Sequence, residues 1–214
     1  MKDWTGNKDS GRVMQGINKK HNTEDREAND FYATEPLAME LLLDKETFAP
    51  RIWEPSCGQG HLSKVLTARG YQVKSTDLID RGYGTGGVDF LTQTEQWDGD
   101  IITNPPYRYA TEFVLHALDL IPTGHKVAMF CKITFLEGAK RWQQIYTTKQ
   151  LKVVYVATKR LECAINGRFN PSNRLMTYAW FVWQKGYTGQ PVIDWINTPG
   201  EETTGSLFKE VEND

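Results

Sequence analysis

Short apolar segments alternate with amphipathic ones through the middle of the chain. Helical spacing of the apolar residues predicts helices over residues 36–44, 61–70, 111–121 and 136–146. Runs rich in β-branched and aromatic residues predict strands over residues 51–54, 71–77, 87–90, 100–103, 126–131, 151–157 and 175–183. Because strands and helices alternate, the sequence predicts an α/β fold with a largely parallel sheet.

The segments at the two ends of the chain lack this alternation. Residues 1–29 are polar with little apolar periodicity, which predicts a mobile N-terminal arm. Residues 198–214 are rich in acidic side chains, which predicts a C-terminal tail outside the folded core. Where the folded part begins, Thr34 can cap the first helix and Pro36 fits its first turn.

Composition is typical of a soluble globular protein. The chain has 214 residues, which fits one domain with a sizeable core, and 39% of them are hydrophobic and 24% charged. It shows no run of about 18 apolar residues and no secretory signal, so we expect a cytoplasmic protein without a membrane span. The three cysteines, Cys57, Cys131 and Cys163, are far apart and make neither a disulfide framework nor a metal motif.

The formal net charge of -2 hides a strong asymmetry along the sequence. Residues 1–103 hold 12 basic and 17 acidic side chains, residues 104–190 hold 12 and 4, and residues 191–214 hold 1 and 6. The basic central block can meet the phosphates of a nucleic acid. The alternative for the same block is an ordinary solvated surface with scattered lysines.

Three polar clusters follow the first three predicted strands. The first is the glycine-containing segment of residues 54–60, with the sequence EPSCGQG, before a predicted helix. The second is Asp77, and the third is the pair Asp89 and Phe90. Ligands of open parallel sheets bind beyond the carboxyl ends of the strands, where these clusters should lie, and a carboxylate after the second strand is typical of ribose binding. Taken singly, the glycine segment also fits a tight strand–helix turn, Asp77 a helix cap or a surface position, and Phe90 a core residue.

The segment Asn104-Pro105-Pro106-Tyr107 follows the fourth predicted strand. Its two prolines fix φ and make a stiff turn that presents an amide side chain, carbonyl oxygens and an aromatic ring together. Such a turn can accept both hydrogen bonds of a planar amino group while the ring stacks on its face. An ordinary proline-rich turn is the alternative when these four residues are considered alone.

In this order along the chain, the four clusters resemble those of class I S-adenosylmethionine-dependent methyltransferases. With residues 30–36 (DFYATEP), residues 132–138 (KITFLEG), Arg141 and residues 179–183 (AWFVW), they are similar to phage and prophage DNA N6-adenine methyltransferases. The resemblance covers residues 30–197, the expected catalytic domain. It implies a Rossmann-like fold: a mostly parallel, seven-stranded sheet with helices on both faces and an antiparallel last strand.

The resemblance assigns roles to individual positions. Asn104, Pro105, Pro106 and Tyr107 would be catalytic, with Tyr107 stacking on a flipped-out adenine. The cofactor would be S-adenosylmethionine, in contact with Phe31, Tyr32, Thr34, Pro36, Glu54, Cys57, Gly58, Gly60, Asp77, Asp89, Phe90 and Asn104. Its sulfonium is an activated methyl donor, so no metal is expected.

The polar loop between the last two predicted strands is a candidate for DNA contact. We expect Arg160, Arg168 and Arg174 to touch phosphates or bases, and Phe169 to be a second wall of the base pocket. Target-recognition regions of restriction-type relatives follow the catalytic part, whereas few residues follow the last predicted strand here. Recognition is therefore expected from loops, from the N-terminal arm, or from a second copy or partner subunit.

The resulting hypothesis is DNA adenine N6-methylation in the cytoplasm of a bacterial or phage-infected cell. An RNA adenine or a protein glutamine is the alternative acceptor, because both present a similar amino group. A non-catalytic nucleic-acid-binding subunit with this fold is a further alternative, although it would be expected to have lost the NPPY or the glycine segment.

Overall fold

The structure is a computed structural model that describes residues 32–161, 163–165 and 176–196. The predicted arm and tail lie outside these residues, as do four of the predicted site residues: Phe31, Arg168, Phe169 and Arg174. For Tyr32 and for the residues of the short strand at 163–165, only the backbone is described.

The central element is a seven-stranded sheet with helices in the connections. Its strands, in the order in which they lie side by side, are β3 (Gln72–Ser75), β2 (Arg51–Glu54), β4 (Asp100–Thr103), β5 (Lys126–Lys132), β8 (Tyr178–Gln184), β6 (Leu151–Ala157) and β9 (Val192–Ile196). All neighbours are parallel except β8, which is antiparallel to both β5 and β6. A separate two-stranded sheet pairs β1 (Tyr32–Thr34) with β7 (Cys163–Ile165). The prediction of a mostly parallel seven-stranded sheet is confirmed.

Helices cover both faces of this sheet, as predicted. The helices are α1 (Pro36–Lys45), α2 (His61–Ala68), α3 (Ala110–Leu120) and α4 (Ala139–Gln144). Successive residues of a strand point to opposite faces, so Ile101 belongs to the core cluster that includes α3 and Ile102 to the one that includes α1 and α2. Both residues are fully buried, and each contributes roughly 1.5–3 kcal/mol relative to an exposed side chain.

One predicted strand is wrong, and one strand was not predicted. Residues 87–90 form no strand; Gly87 has a φ of 75°, and Phe90–Thr92 form a 3-10 turn. The Asp89 carboxylate accepts a hydrogen bond from the Leu91 N–H at 3.0 Å, so a local turn replaces sheet pairing. The seventh strand is β9, which pairs with β6 at the opposite edge and follows the antiparallel β8 in the chain.

The start of α1 also differs from the prediction in one respect. Pro36 occupies the first turn as expected, but Glu35 is the N-cap residue and makes no capping hydrogen bond with its side chain. Thr34 instead belongs to β1, where it pairs with Cys163 of β7. The backbone pairing with β7 explains the difference, because it fixes Thr34 in a strand before the helix begins.

Candidate active site

The glycine segment forms a tight turn between β2 and α2 at the carboxyl edge of the sheet. Gly58 has a φ of 54° and Gly60 a φ of 78°, conformations that other residues rarely adopt. The Gly60 N–H donates to the Cys57 carbonyl at 2.7 Å, and the Cys57 N–H donates to the Thr76 carbonyl at 2.9 Å. The hydrogen bond between Cys57 and Thr76 therefore holds the turn against the segment that follows β3.

Asp77 lies against this turn, so the structure brings the first two predicted clusters together. Its Oδ2 accepts a hydrogen bond from the Gly58 N–H at 2.8 Å, and its Oδ1 accepts one from the Ile79 N–H at 2.9 Å. The side chain is 9% exposed. Each carboxylate oxygen has a second lone pair, so Asp77 can hold the turn and still accept a ribose hydroxyl, which stays a prediction.

Glu54 lies beneath the turn and is 1% exposed. It accepts a hydrogen bond from the Ser63 hydroxyl, and the Ser63 Oγ is also 2.6 Å from the Ser75 Oγ. The pKa of Glu54 is raised to about 8, chiefly by burial and in smaller part by the negative charge of Asp77, while the hydrogen bonds from Ser63 oppose the rise. A neutral carboxyl at this position supports the turn from below.

Two further residues of the turn region were not predicted as partners of the glycine segment. Ser63, which donates to Glu54, follows Gly60 by three residues, at the position that a G-x-G-x-x-G dinucleotide-binding segment gives to its third glycine. Tyr83 lies with its ring against Gly60, and its carbonyl is 3.4 Å from the Cys57 Sγ. Burial, with the nearby Glu54 and Asp77, raises the pKa of Cys57 to about 12, which favours the protonated thiol over the thiolate near neutral pH.

Substitution of Gly60 by alanine should weaken cofactor binding. A Cβ atom at Gly60 would lie 2.5 Å from the Tyr83 ring, and the φ of +78° adds strain, so the ring or the turn must shift. Overpacking of this kind costs about 1–3 kcal/mol, and we expect S-adenosylmethionine affinity, measured by calorimetry, to fall by about tenfold or more.

Gly70 provides the matched control for this substitution. It lies just after the other end of α2, has a φ of +91°, and a Cβ there would meet nothing within 4 Å. Gly70→Ala should therefore cost about 1–2 kcal/mol of stability through its backbone alone and leave cofactor affinity unchanged. Equal affinities in Gly60→Ala and wild type would show that the Gly60 turn is no part of the cofactor site.

The third predicted cluster is split between the surface and the core. Asp89 is exposed and caps the 3-10 turn. Phe90 is 2% exposed, and its ring centroid lies 5.2 Å from that of Trp53, 4.9 Å from Phe113 and 5.0 Å from His116. These neighbours give Phe90 a clear packing role, while contact of either residue with adenine stays a prediction.

Residues 32–34 of the FYATEP segment form β1, which lies beside the helix that follows the glycine turn. This strand contacts α2, the helix that follows the turn, and pairs with β7. Thr34 is 3% exposed, and within the described residues its hydroxyl has no hydrogen-bond partner. Contact between this hydroxyl and a cofactor stays a prediction.

The NPPY segment leaves the carboxyl end of β4, and β4 lies between β2 and β5. Pro105 is buried, Asn104 and Pro106 are half-buried, and residues Tyr107–Tyr109 form a 3-10 turn before α3. The Tyr107 ring stacks on Tyr178 of β8, with centroids 5.9 Å apart and an interplanar angle of 27°. Because β2 and β4 are parallel neighbours, NPPY and the glycine turn emerge from the same edge of the sheet.

A small cavity opens beside Tyr107. It has a volume of about 130 Å³ and is lined by Tyr107, Ala110, Cys131, Lys132, Thr134, Phe135 and Arg141. Of these residues only Tyr107 was predicted as a site residue, although residues 132–138 and Arg141 were part of the family resemblance. The Lys132 Nζ lies 5.5 Å from the Tyr107 ring centroid.

Of the four residues predicted in the last polar loop, the structure describes Arg160. It is exposed and comes three residues after the carboxyl end of β6. Over the described ranges, no group of three or more side chains could hold a metal ion. None of the described helices has the length and apolar character to cross a membrane.

Comparison with known proteins identifies the fold. No protein-family model and no curated protein sequence matches the chain. Solved structures do match, among them a Listeria monocytogenes protein assigned to the class I S-adenosylmethionine-dependent methyltransferases, at 11% identity and a TM-score of 0.53 over 88% of this chain and 70% of that one. A type I restriction-enzyme modification subunit from Vibrio vulnificus matches at 10% identity and a TM-score of 0.54, over 90% of this chain and 51% of the subunit.

A protein from Pyrococcus horikoshii assigned to the RNA methyltransferases matches at 15% identity and a TM-score of 0.50, over 82% of this chain and 97% of that one. The chain thus spans about half the length of the Vibrio modification subunit and nearly all of the Pyrococcus protein. At these identities the matches establish fold alone. The chain has the Rossmann-like fold of the class I S-adenosylmethionine-dependent methyltransferases, with an antiparallel strand between its fifth and sixth strands.

Proposed function

We propose that this protein is a DNA adenine N6-methyltransferase that uses S-adenosylmethionine. The observation that carries the proposal is the position of NPPY at the carboxyl end of β4, beside the β2 strand that leads into the glycine turn and Asp77. A methyl donor held at the turn and an amino acceptor held at Asn104 would lie at one edge of the sheet.

The chemistry suits an exocyclic amino group. The lone pair of such a nitrogen is delocalised into the ring, so the nitrogen is a poor nucleophile. The Asn104 side-chain oxygen and the Pro105 carbonyl would accept hydrogen bonds from its two N–H groups. These hydrogen bonds would favour a more tetrahedral nitrogen as the methyl group arrives. This stabilises the transition state more than the ground state and also positions the acceptor.

Nucleic acid is favoured over protein as the substrate class. Residues 104–190 carry 12 basic and 4 acidic side chains, which suits a phosphate backbone. Tyr107 is half-buried, and its ring stacks on Tyr178. This contact would hold the ring in place for stacking on a base. A base in a duplex would have to be flipped out to reach this ring.

The proposal is tested by following the methyl group. The full-length protein is incubated with tritiated S-adenosylmethionine and unmethylated duplex DNA, with RNA and protein as parallel substrates, and the nucleosides are separated after digestion. We expect label in N6-methyldeoxyadenosine, and sequencing of the product then maps the methylated site. Label in RNA or protein without label in DNA would contradict the proposed substrate.

A further inference from the structure

The cavity beside Tyr107 has the size of one ring. Cavities of about 150 Å³ hold a benzene-sized molecule, and this one measures about 130 Å³. Sites for whole drug-sized ligands or cofactors are larger, about 300–1,000 Å³. The space therefore suits one ring of a base and not the entire methyl donor.

Arg141, one of the two cations that line the cavity, is hydrogen-bonded to backbone carbonyls. The Arg141 Nε donates to the Phe135 carbonyl at 2.9 Å and to the Glu137 carbonyl at 2.8 Å, and the Tyr146 hydroxyl donates to the Phe135 carbonyl at 2.6 Å. Gly138, with a φ of 118°, lets the chain turn back towards the Arg141 guanidinium. Arg141 thus fixes the cavity wall formed by residues 133–138.

Lys132 is the other cation, and its ammonium lies over the Tyr107 ring. It is half-buried at the end of β5, opposite Tyr178 of β8. Among the residues that the structure describes, its ammonium makes no hydrogen bond or ion pair, although it has three donors to satisfy. It lies 5.5 Å from the Tyr107 ring centroid, so the edge of a base stacked on that ring is within reach of its flexible stem.

We propose that Lys132 selects the acceptor by donating a hydrogen bond to a purine ring nitrogen beside the target amino group. The inference rests on the proposed function. In adenine the amino group is flanked by two ring nitrogens, N1 and N7, and both are hydrogen-bond acceptors. The Asn104 side-chain oxygen and the Pro105 carbonyl act as acceptors for the amino group, whereas the Lys132 ammonium supplies a charged donor for a ring nitrogen. A glutamine side chain has no such nitrogen.

The test replaces the nitrogens one at a time. Duplex oligonucleotides carry the mapped site with adenine, 1-deazaadenine or 7-deazaadenine at the target, and methylation is followed with wild type, Lys132→Met and Lys132→Arg. Wild-type kcat/KM should fall about 10- to 100-fold on one of the two analogues, the loss expected for a hydrogen bond to a charged group. Lys132→Met should lose a similar factor on adenine and nothing more on that analogue, while Lys132→Arg should keep the wild-type pattern.

Three results would overturn the inference. The first is wild-type activity on both analogues equal to that on adenine, a result that does not depend on any variant. The second is an equal loss for Lys132→Met on all three duplexes together with a salt dependence reduced by about one ion, which is the behaviour of a phosphate contact. The third is absence of wild-type methylation on ordinary DNA, which alone would overturn the proposed function as well.

Discussion

Asn104→Ala should abolish most methyl transfer to DNA and leave S-adenosylmethionine bound. The substitution removes the side-chain oxygen proposed to accept an N–H of the target amino group, in a segment whose position is fixed by β4 and by Pro105. Loss of one preorganised polar group at a reacting centre costs about a hundred- to a thousandfold in rate. The rate is measured in single-turnover experiments with the tritiated cofactor, and cofactor affinity by calorimetry.

Asn104→Asp is the matched variant because it keeps an acceptor oxygen of the same reach. We expect its rate to lie between those of wild type and Asn104→Ala. If Asn104→Ala lost cofactor affinity together with activity, the main role of Asn104 would be its expected contact with S-adenosylmethionine and not the binding of the target amino group. Unchanged transfer in Asn104→Ala would remove the NPPY segment from the proposed chemistry.

The central strands were predictable because each is buried on both faces. Such strands read as continuous apolar runs, and β4 and β6 have the bounds that their sequences predict. The prediction of a strand over residues 87–90 was wrong because a glycine with positive φ and the Asp89 carboxylate make a local turn that competes with strand pairing. Strand β9 was missed because its pairing with β6, a tertiary contact, decides its conformation.

The location of the candidate site followed from the order of its clusters. In a parallel sheet, residues after successive strands meet at one edge, and Gly58 and Asp77 do so through a direct hydrogen bond. Contacts made by distant side chains left no such local pattern. The stacking of Tyr178 on Tyr107 and the packing of Tyr83 against Gly60 depend on how the strands and loops come together in space.

Glu54 links the candidate site to protein stability. Its carboxyl is buried beneath the glycine turn, and its pKa in the folded protein is raised from 4.5 to about 8. Between these two pH values the folded state keeps a proton that the unfolded chain releases, so the free energy of unfolding falls as pH rises. The slope for one proton is about 1.4 kcal/mol per pH unit. This contribution is fully present below pH 4.5 and lost above about pH 8.

Glu54→Gln should therefore flatten the pH dependence of stability. The amide oxygen can still accept the Ser63 hydroxyl, and the side chain has no proton to lose. Relative to the variant, wild type should lose on the order of 4 kcal/mol between pH 5 and pH 8, measured by urea unfolding of the cofactor-free protein. Glu95→Gln, which removes an exposed carboxylate, should follow the wild-type profile. Parallel profiles for wild type and Glu54→Gln would mean that Glu54 is ionised at neutral pH and that the turn rests on a buried charge.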